Sequence, residues 1–268
     1  MKKIILGALI ASALSFSAVA STSTPTEIDF SKLSPAQQDQ IGKIASDYII
    51  KNPEVLIQAS QSLQQKQEMQ RRQELQKAAT TAVSEKEALL NDSASPVIGP
   101  KDAKVAMVIF TDYNCIYCSK SSPDVSAIIK EHPDVKFVFK DLPVLSVRFP
   151  SSLYAAQVGL QVFKEKGNDT FLKYHENIYK TGLNEGNLTE AVIDKTAKDL
   201  GVTPKVSRDD FAEQIKNNED LAAKLKINGT PGFVLMSNTN PTPETTAIIP
   251  GYVEKAQIEG IISEIGKK

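Results

Sequence analysis

Val105-Ala-Met-Val-Ile-Phe-Thr-Asp-Tyr-Asn-Cys-Ile-Tyr-Cys-Ser-Lys120 decides how this chain folds. Val105 to Phe110 is apolar and rich in β-branched residues, which predicts a buried strand. The run breaks at Asp112-Tyr113-Asn114, and a helical pattern starts at Cys115. Cys115 and Cys118 therefore sit at a strand-to-helix corner, and the chain has no other cysteine.

A thiol at a helix N-terminus faces the positive end of the macrodipole and unpaired backbone N–H groups. Its thiolate is favoured there and its pKa falls. Cys115 is expected to be the exposed, first-turn member and the nucleophile. Cys118, one turn deeper on the same face, is placed to attack a mixed disulfide formed at Cys115. Two other uses stay open on the residues alone. A structural disulfide would close a tiny loop and remove little unfolded-state entropy. A zinc site would need two further ligands, and besides carboxylates only His132 and His175 remain, without the usual spacing, so no metal is expected. Each histidine reads as a surface or packing residue.

Outward from the corner, the helix is expected from Cys115 to about Glu131, and Val135 to Lys140 alternates as a second strand. Two strands joined by a helix form a βαβ unit, with parallel pairing and a right-handed crossover. Pro96-Val-Ile-Gly-Pro100 suits a short edge strand, and Asn91-Asp-Ser-Ala-Ser-Pro96 has the composition of a linker. From about residue 145 to 225 the pattern is helical, in four segments separated by Gly-Asn and Gly-Val-Thr-Pro breakers. Ile227-Asn-Gly-Thr-Pro-Gly-Phe-Val-Leu-Met236 then turns into a strand, Thr245 to Gly251 supplies its antiparallel partner, and a helix from Val253 to Ile265 follows.

The N-terminal side has a different character. Residues 1–20 combine Lys2 and Lys3, a short apolar stretch and Ala18-Val-Ala20, the pattern of a cleaved secretory signal, with a retained anchor as the alternative. Export would put the two thiols in a compartment where disulfides persist. The formal net charge is −1, from 31 basic and 32 acidic residues. Loss of Lys2 and Lys3 leaves a charge still too mild to imply nucleic acid as a partner. Ser34-Pro35 opens a helix with an apolar stripe at Ile41, Ile44, Tyr48 and Ile49. A second helical run extends from Glu54 to about Leu90 and is polar almost all round between Gln64 and Lys77. Such a helix cannot pack deeply into a core, so it reads as a solvated stalk. The isolated apolar patches of residues 34–63 need a partner surface, and a second copy supplies one, so residues 34–63 read as a dimerisation element. An arm folded back on its own catalytic domain is the alternative. The expected organisation is a signal at 1–20, a dimerisation and stalk segment at 21–91, and a catalytic domain at 92–268.

Residues 96 to 268 resemble the thioredoxin superfamily, and within it the Dsb proteins of the bacterial periplasm. The strand-Cys115-x-x-Cys118-helix, the βαβ then hairpin then helix order, the helical insertion and Asn228-Gly-Thr-Pro-Gly232 carry the resemblance. The insertion is similar to DsbA, and the N-terminal extension and Tyr117 are more similar to the dimeric isomerase DsbC. The combination resembles DsbA-like proteins with an N-terminal dimerising segment, including the Com-type surface antigens. The implied fold is α/β: a thioredoxin fold with an inserted helical domain, preceded by a helical dimerisation arm. The resemblance also implies a cis bond at Thr230-Pro231 lying against the cysteines, with Thr230 holding an incoming client chain. Two departures stand out. The strand beneath the cysteines has no interior acid, so Asp112 and Tyr117 are left as the candidates to tune the thiols, and Ile116-Tyr117 replaces the histidine of DsbA.

The expected function is an exported thiol–disulfide oxidoreductase that forms, and in part isomerises, disulfides in unfolded or wrongly bridged exported proteins. It would use no cofactor beyond the Cys115–Cys118 pair. A DsbB-like or DsbD-like membrane protein would reset it, and its place would be the periplasm, the outer membrane or the cell surface. The alternative is a chaperone-like or surface-exposed binding protein with a non-catalytic cysteine pair.

Overall fold

A computed structural model describes residues 33–267; the expected signal peptide, with Ala18 to Ala20, and the leader after it lie outside the described residues. The chain divides into two compact units after Leu63.

In the first unit, α1 (Pro35–Lys51) starts from a complete capping box: the Ser34 side chain accepts from the Gln37 N–H and Gln37 reaches back to the Ser34 N–H. It ends at Asn52, ahead of Pro53, where α2 (Glu54–Ser84) follows. No residue of α1 is buried, and Ile44, Tyr48, Ile50, Leu56 and Ile57 all lie open to solvent.

The second unit takes in α2 from Gln64 onward. Its polar stretch is solvent-exposed, but Ala78, Ala79 and Ala82 are buried. The helical run expected to reach Leu90 breaks at Glu85, and α3 (Lys86–Leu90) buries Leu89 and Leu90. Ala78, Ala82, Leu89 and Leu90 join one apolar cluster with Val108, Phe110 and Val234 of the sheet. Residues 91–96, read as an interdomain linker, thus connect two parts of one packed unit. Small alanines let the helix approach the sheet closely, which is how an apparently polar helix still contributes to the core.

The sheet holds β1 (Val97–Ile98), β2 (Val105–Thr111), β3 (Lys136–Asp141), β4 (Gly232–Ser237) and β5 (Thr246–Ile249), in the order β1-β3-β2-β4-β5. β2 and β3 run parallel, with Val108 opposite Val138 and Thr111 opposite Asp141; all other pairs are antiparallel. Every residue of the central β2 is buried. Its alternate side chains feed two cores, Ala106, Val108 and Phe110 on one face and Met107 and Ile109 on the other. The second face is covered by α4 (Ile116–Glu131) and α9 (Lys255–Lys267), through Val125, Ile128, Ile258 and Ile262.

Four helices lie between β3 and β4: α5 (Ser151–Lys166), α6 (Asn168–Lys180), α7 (Glu190–Asp199) and α8 (Ala212–Lys224). α5 and α6 pack closely because position 159 is glycine; a Cβ there would meet the Tyr174 ring at 2.9 Å. A third apolar cluster joins Cys115, Cys118 and Tyr113 to Val158, Tyr174, Ile178, Leu188 and Ile193 of this insertion. The inserted helices therefore form one wall of the cysteine corner. No helix among the described residues is long and apolar enough to cross a membrane.

Candidate redox site

Cys115 is the N-cap of α4, with extended backbone, so its sulfur stands at the helix N-terminus. Both cysteines are free thiols and both are buried, Cys115 with 7% of its surface exposed and Cys118 with 2%. The Cys115 Sγ donates to the Thr230 carbonyl at 3.1 Å. The Thr230-Pro231 peptide bond is cis and immediately precedes β4.

The two thiols differ in character. Hydrogen bonding from the Cys118 side chain lowers Cys115 to about 6 from the usual 9, against desolvation; Thr230 and the backbone N–H groups of Cys118 and Tyr117 add to the lowering. Burial pushes Cys118 well above its ordinary value, and the neighbouring Cys115 pushes it further. One sulfur is thus set up to ionise near neutral pH while the other holds its proton.

The turn before the cysteines is held by side-chain bonds. Asp112 Oδ1 accepts from the Asn114 N–H at 2.8 Å, and Oδ2 accepts from the Leu145 N–H at 2.9 Å. Burial raises the Asp112 carboxyl, although these two donors pull the other way. Asn114 is fully buried; its amide donates to Ser151 Oγ at 3.0 Å and its Oδ1 accepts from the Gly186 N–H at 3.0 Å. These bonds tie the corner to both sides of the insertion.

Beneath the corner lies a polar and aromatic layer. Tyr179 hydroxyl shares a 2.5 Å hydrogen bond with Thr111 and donates to the Asp112 carbonyl. Tyr113 stacks on Tyr179 at 5.3 Å and meets His175 Nδ1 through its hydroxyl. His175 is ringed by Tyr113, Phe139, Phe171 and Tyr179, and burial lowers it to about 4, so it is neutral at pH 7. Asp141 is buried with both carboxylate oxygens unpartnered, and burial holds it well above the ordinary carboxylate range. His132 lies at the far end of α4, 3.7 Å from Glu259. The two histidines are thus a cage residue and a helix-end residue, and among the described residues no group of His, Cys, Asp or Glu gathers as a metal site.

A family model described as thioredoxin matches residues 91–247. The chain belongs to the thioredoxin family. Its N-terminal residues 37–70 match a second model, the copper resistance protein ScsC N-terminal domain. Among solved structures, BcfH of Salmonella enterica Typhimurium is 33% identical, with a TM-score of 0.71 over 86% of this chain and 96% of that one. Proteus mirabilis ScsC in a transitional conformation is 34% identical, with a TM-score of 0.59 over 88% of this chain and 98% of that one. Disulfide bond formation protein D of Bacillus subtilis is 29% identical over 51% of this chain and 65% of its own length. The chain thus spans less than two thirds of that curated relative, and about a fifth of the Salinispora Na(+)/H(+) antiporters that it also matches.

Within this family frame, the structure brings Cys115, Cys118, Thr230, Pro231 and Asp112 into one corner. Tyr117 stands differently: the residue is 57% exposed, and only its backbone N–H bears on the Cys115 sulfur. Asn114, Asp141 and Tyr179 were not singled out by sequence reasoning. Asn114 carried a faint signal as an Asx residue in the turn, whereas the other two are joined to the corner by contacts from distant parts of the chain.

Proposed function

We propose that this protein is an exported thiol–disulfide oxidoreductase acting on other proteins. The observation that carries the reading is the Cys115 sulfur at a helix N-terminus, lowered to about 6 and held 3.1 Å from the carbonyl of Thr230. In the reducing direction, the Cys115 thiolate attacks one sulfur of a client disulfide. The client S–S bond breaks, a mixed disulfide forms, and the departing client thiolate takes up a proton. Cys118 then loses its proton and attacks the Cys115 sulfur, releasing the second client thiol and leaving the Cys115–Cys118 disulfide. Two electrons pass from the protein to the client. The same steps reversed oxidise a client dithiol.

Thr230 and Pro231 take the positioning role. Ionisation or substitution of the Cys115 sulfur removes the S–H that occupies the Thr230 carbonyl, which frees that acceptor for the backbone N–H of a client chain. Asp112 serves the corner by fixing Asn114 and Leu145.

The N-terminal match to the ScsC domain and the exposed apolar residues of 33–63 support a homodimer with isomerase capacity, in which two sites face a misfolded client. The periplasm is the compartment that fits, with a membrane protein of the DsbB or DsbD kind resetting the pair. The test is an equilibrium titration of the Cys115–Cys118 pair against glutathione. A potential above about −200 mV is expected for an exchangeable, catalytic disulfide, and a value below about −300 mV would mark a structural bond and overturn the reading.

A further inference from the structure

The rim of the site carries an aromatic pair to which the exchange steps assign nothing. Tyr117 is 57% exposed and Ile116 51%, both in the first turn of α4 directly after Cys115. Tyr252, three residues beyond β5, brings its ring to 6.5 Å from that of Tyr117, tilted by 34°. Lys120 lies one turn after Ile116, and its ammonium sits 4.2 Å over the centre of the Tyr252 ring. The Tyr252 hydroxyl donates to Glu254 at 3.0 Å. Tyr252 is thus fixed at its hydroxyl and on one face, while Tyr117 is anchored only through its backbone.

Exposed large apolar side chains cost solvation unless something covers them, and here two of them, Ile116 and Tyr117, directly follow Cys115 in the chain, with the half-buried Tyr252 ring beside Tyr117. At 6.5 Å and 34° the two rings lie at the long end of aromatic pairing, so neither covers the other's face. Tyr117 is free to turn toward a third flat group lying beside Tyr252. A client chain that pairs along Thr230 with its cysteine on Cys115 carries the side chain next to that cysteine over the first turn of α4. We infer that Tyr117 and Tyr252 form a ledge that selects client segments with an aromatic side chain next to the reactive cysteine, with Lys120 and Glu254 holding Tyr252 in place. Phe or Tyr fits this ledge because each offers a ring face to both tyrosines.

This inference rests on the oxidoreductase reading, and the experiment separates the two. Two disulfide-linked peptides identical except for Phe or Ala beside the cysteine are presented to the full-length protein, with excess reduced glutathione to return the Cys115–Cys118 disulfide to the dithiol after each turnover, and kcat/KM is measured for each above the uncatalysed rate. The Phe peptide is expected to react about five- to tenfold better, mainly through a lower KM, the size of effect an aromatic contact supplies. Tyr252→Ala should bring that ratio to about one, and Tyr252→Phe, which keeps the ring, should retain it. Equal values for the two peptides in the unaltered protein, or a preference that survives Tyr252→Ala and Tyr117→Ala, would overturn the ledge while leaving the oxidoreductase reading standing. Failure of both peptides to exchange would overturn both.

Discussion

At Cys115 the chemistry turns on one sulfur whose proton is lost near pH 6 beside another that keeps its own. Alkylation by iodoacetamide follows the thiolate fraction. Reaction at Cys115 should therefore rise as pH rises through about 6 and level off above it, with Cys118 silent. By linkage, the same ionisation stabilises the reduced folded protein most above the unfolded thiol's pKa of about 8.5, and that contribution fades as pH falls through the folded value. The Thr230 hydroxyl is buried beside both sulfurs, and its hydrogen bonding lowers each. Thr230→Val should move the alkylation midpoint upward. A midpoint near 8 or above in the unaltered protein would contradict the assigned environment. The residues of this corner were legible in the sequence where the signal was local: two cysteines at helical spacing, and a threonine-proline turn ahead of a strand. His175 and Asp141 were not, because half of the cage around the one comes from Tyr113 and Phe139, 62 and 36 residues away, and the burial of the other depends on a strand partner, Thr111, 30 residues earlier.

Element by element, periodicity was a sound guide where one face alone is buried, and less so where packing depends on small residues. The seven residues of β2, the edge pairing of β1 and the antiparallel β4–β5 hairpin all follow from apolar runs and turn residues. The break at Glu85 between α2 and α3 does not, since the sequence there holds no glycine or proline to mark it. Beyond the break, Leu89 and Leu90 are buried against the sheet. Leu89 is fully buried, so Leu89→Ala should lower the stability of the second unit by about 2–5 kcal/mol, read from denaturant midpoints. Ala substitution of the exposed Met69 in the same helical run should cost little by comparison. If the two variants unfold at the same denaturant concentration, α3 is not part of the core.

For the whole molecule, the same packing determines where a truncation can be made. Cutting at residue 90 would remove Ala78, Ala82, Leu89 and Leu90 from the core and confound any loss of activity with loss of fold. Cutting after Leu63 leaves that core intact and removes only the unit whose apolar side chains are exposed. Isomerisation requires a thiolate to re-engage the same client repeatedly, and a dimer offers two such sulfurs around one client, whereas oxidation or reduction of a single disulfide needs one. The chain lacking residues 21–63 should therefore sediment as a monomer and still reduce a peptide disulfide. Its recovery of activity from a scrambled, multiply bridged client should fall severalfold or more. A monomer with undiminished isomerisation would show that a single cysteine pair suffices and that the exposed apolar face of residues 33–63 serves another purpose; a truncated chain that remains dimeric would move the subunit contact into residues 64–267.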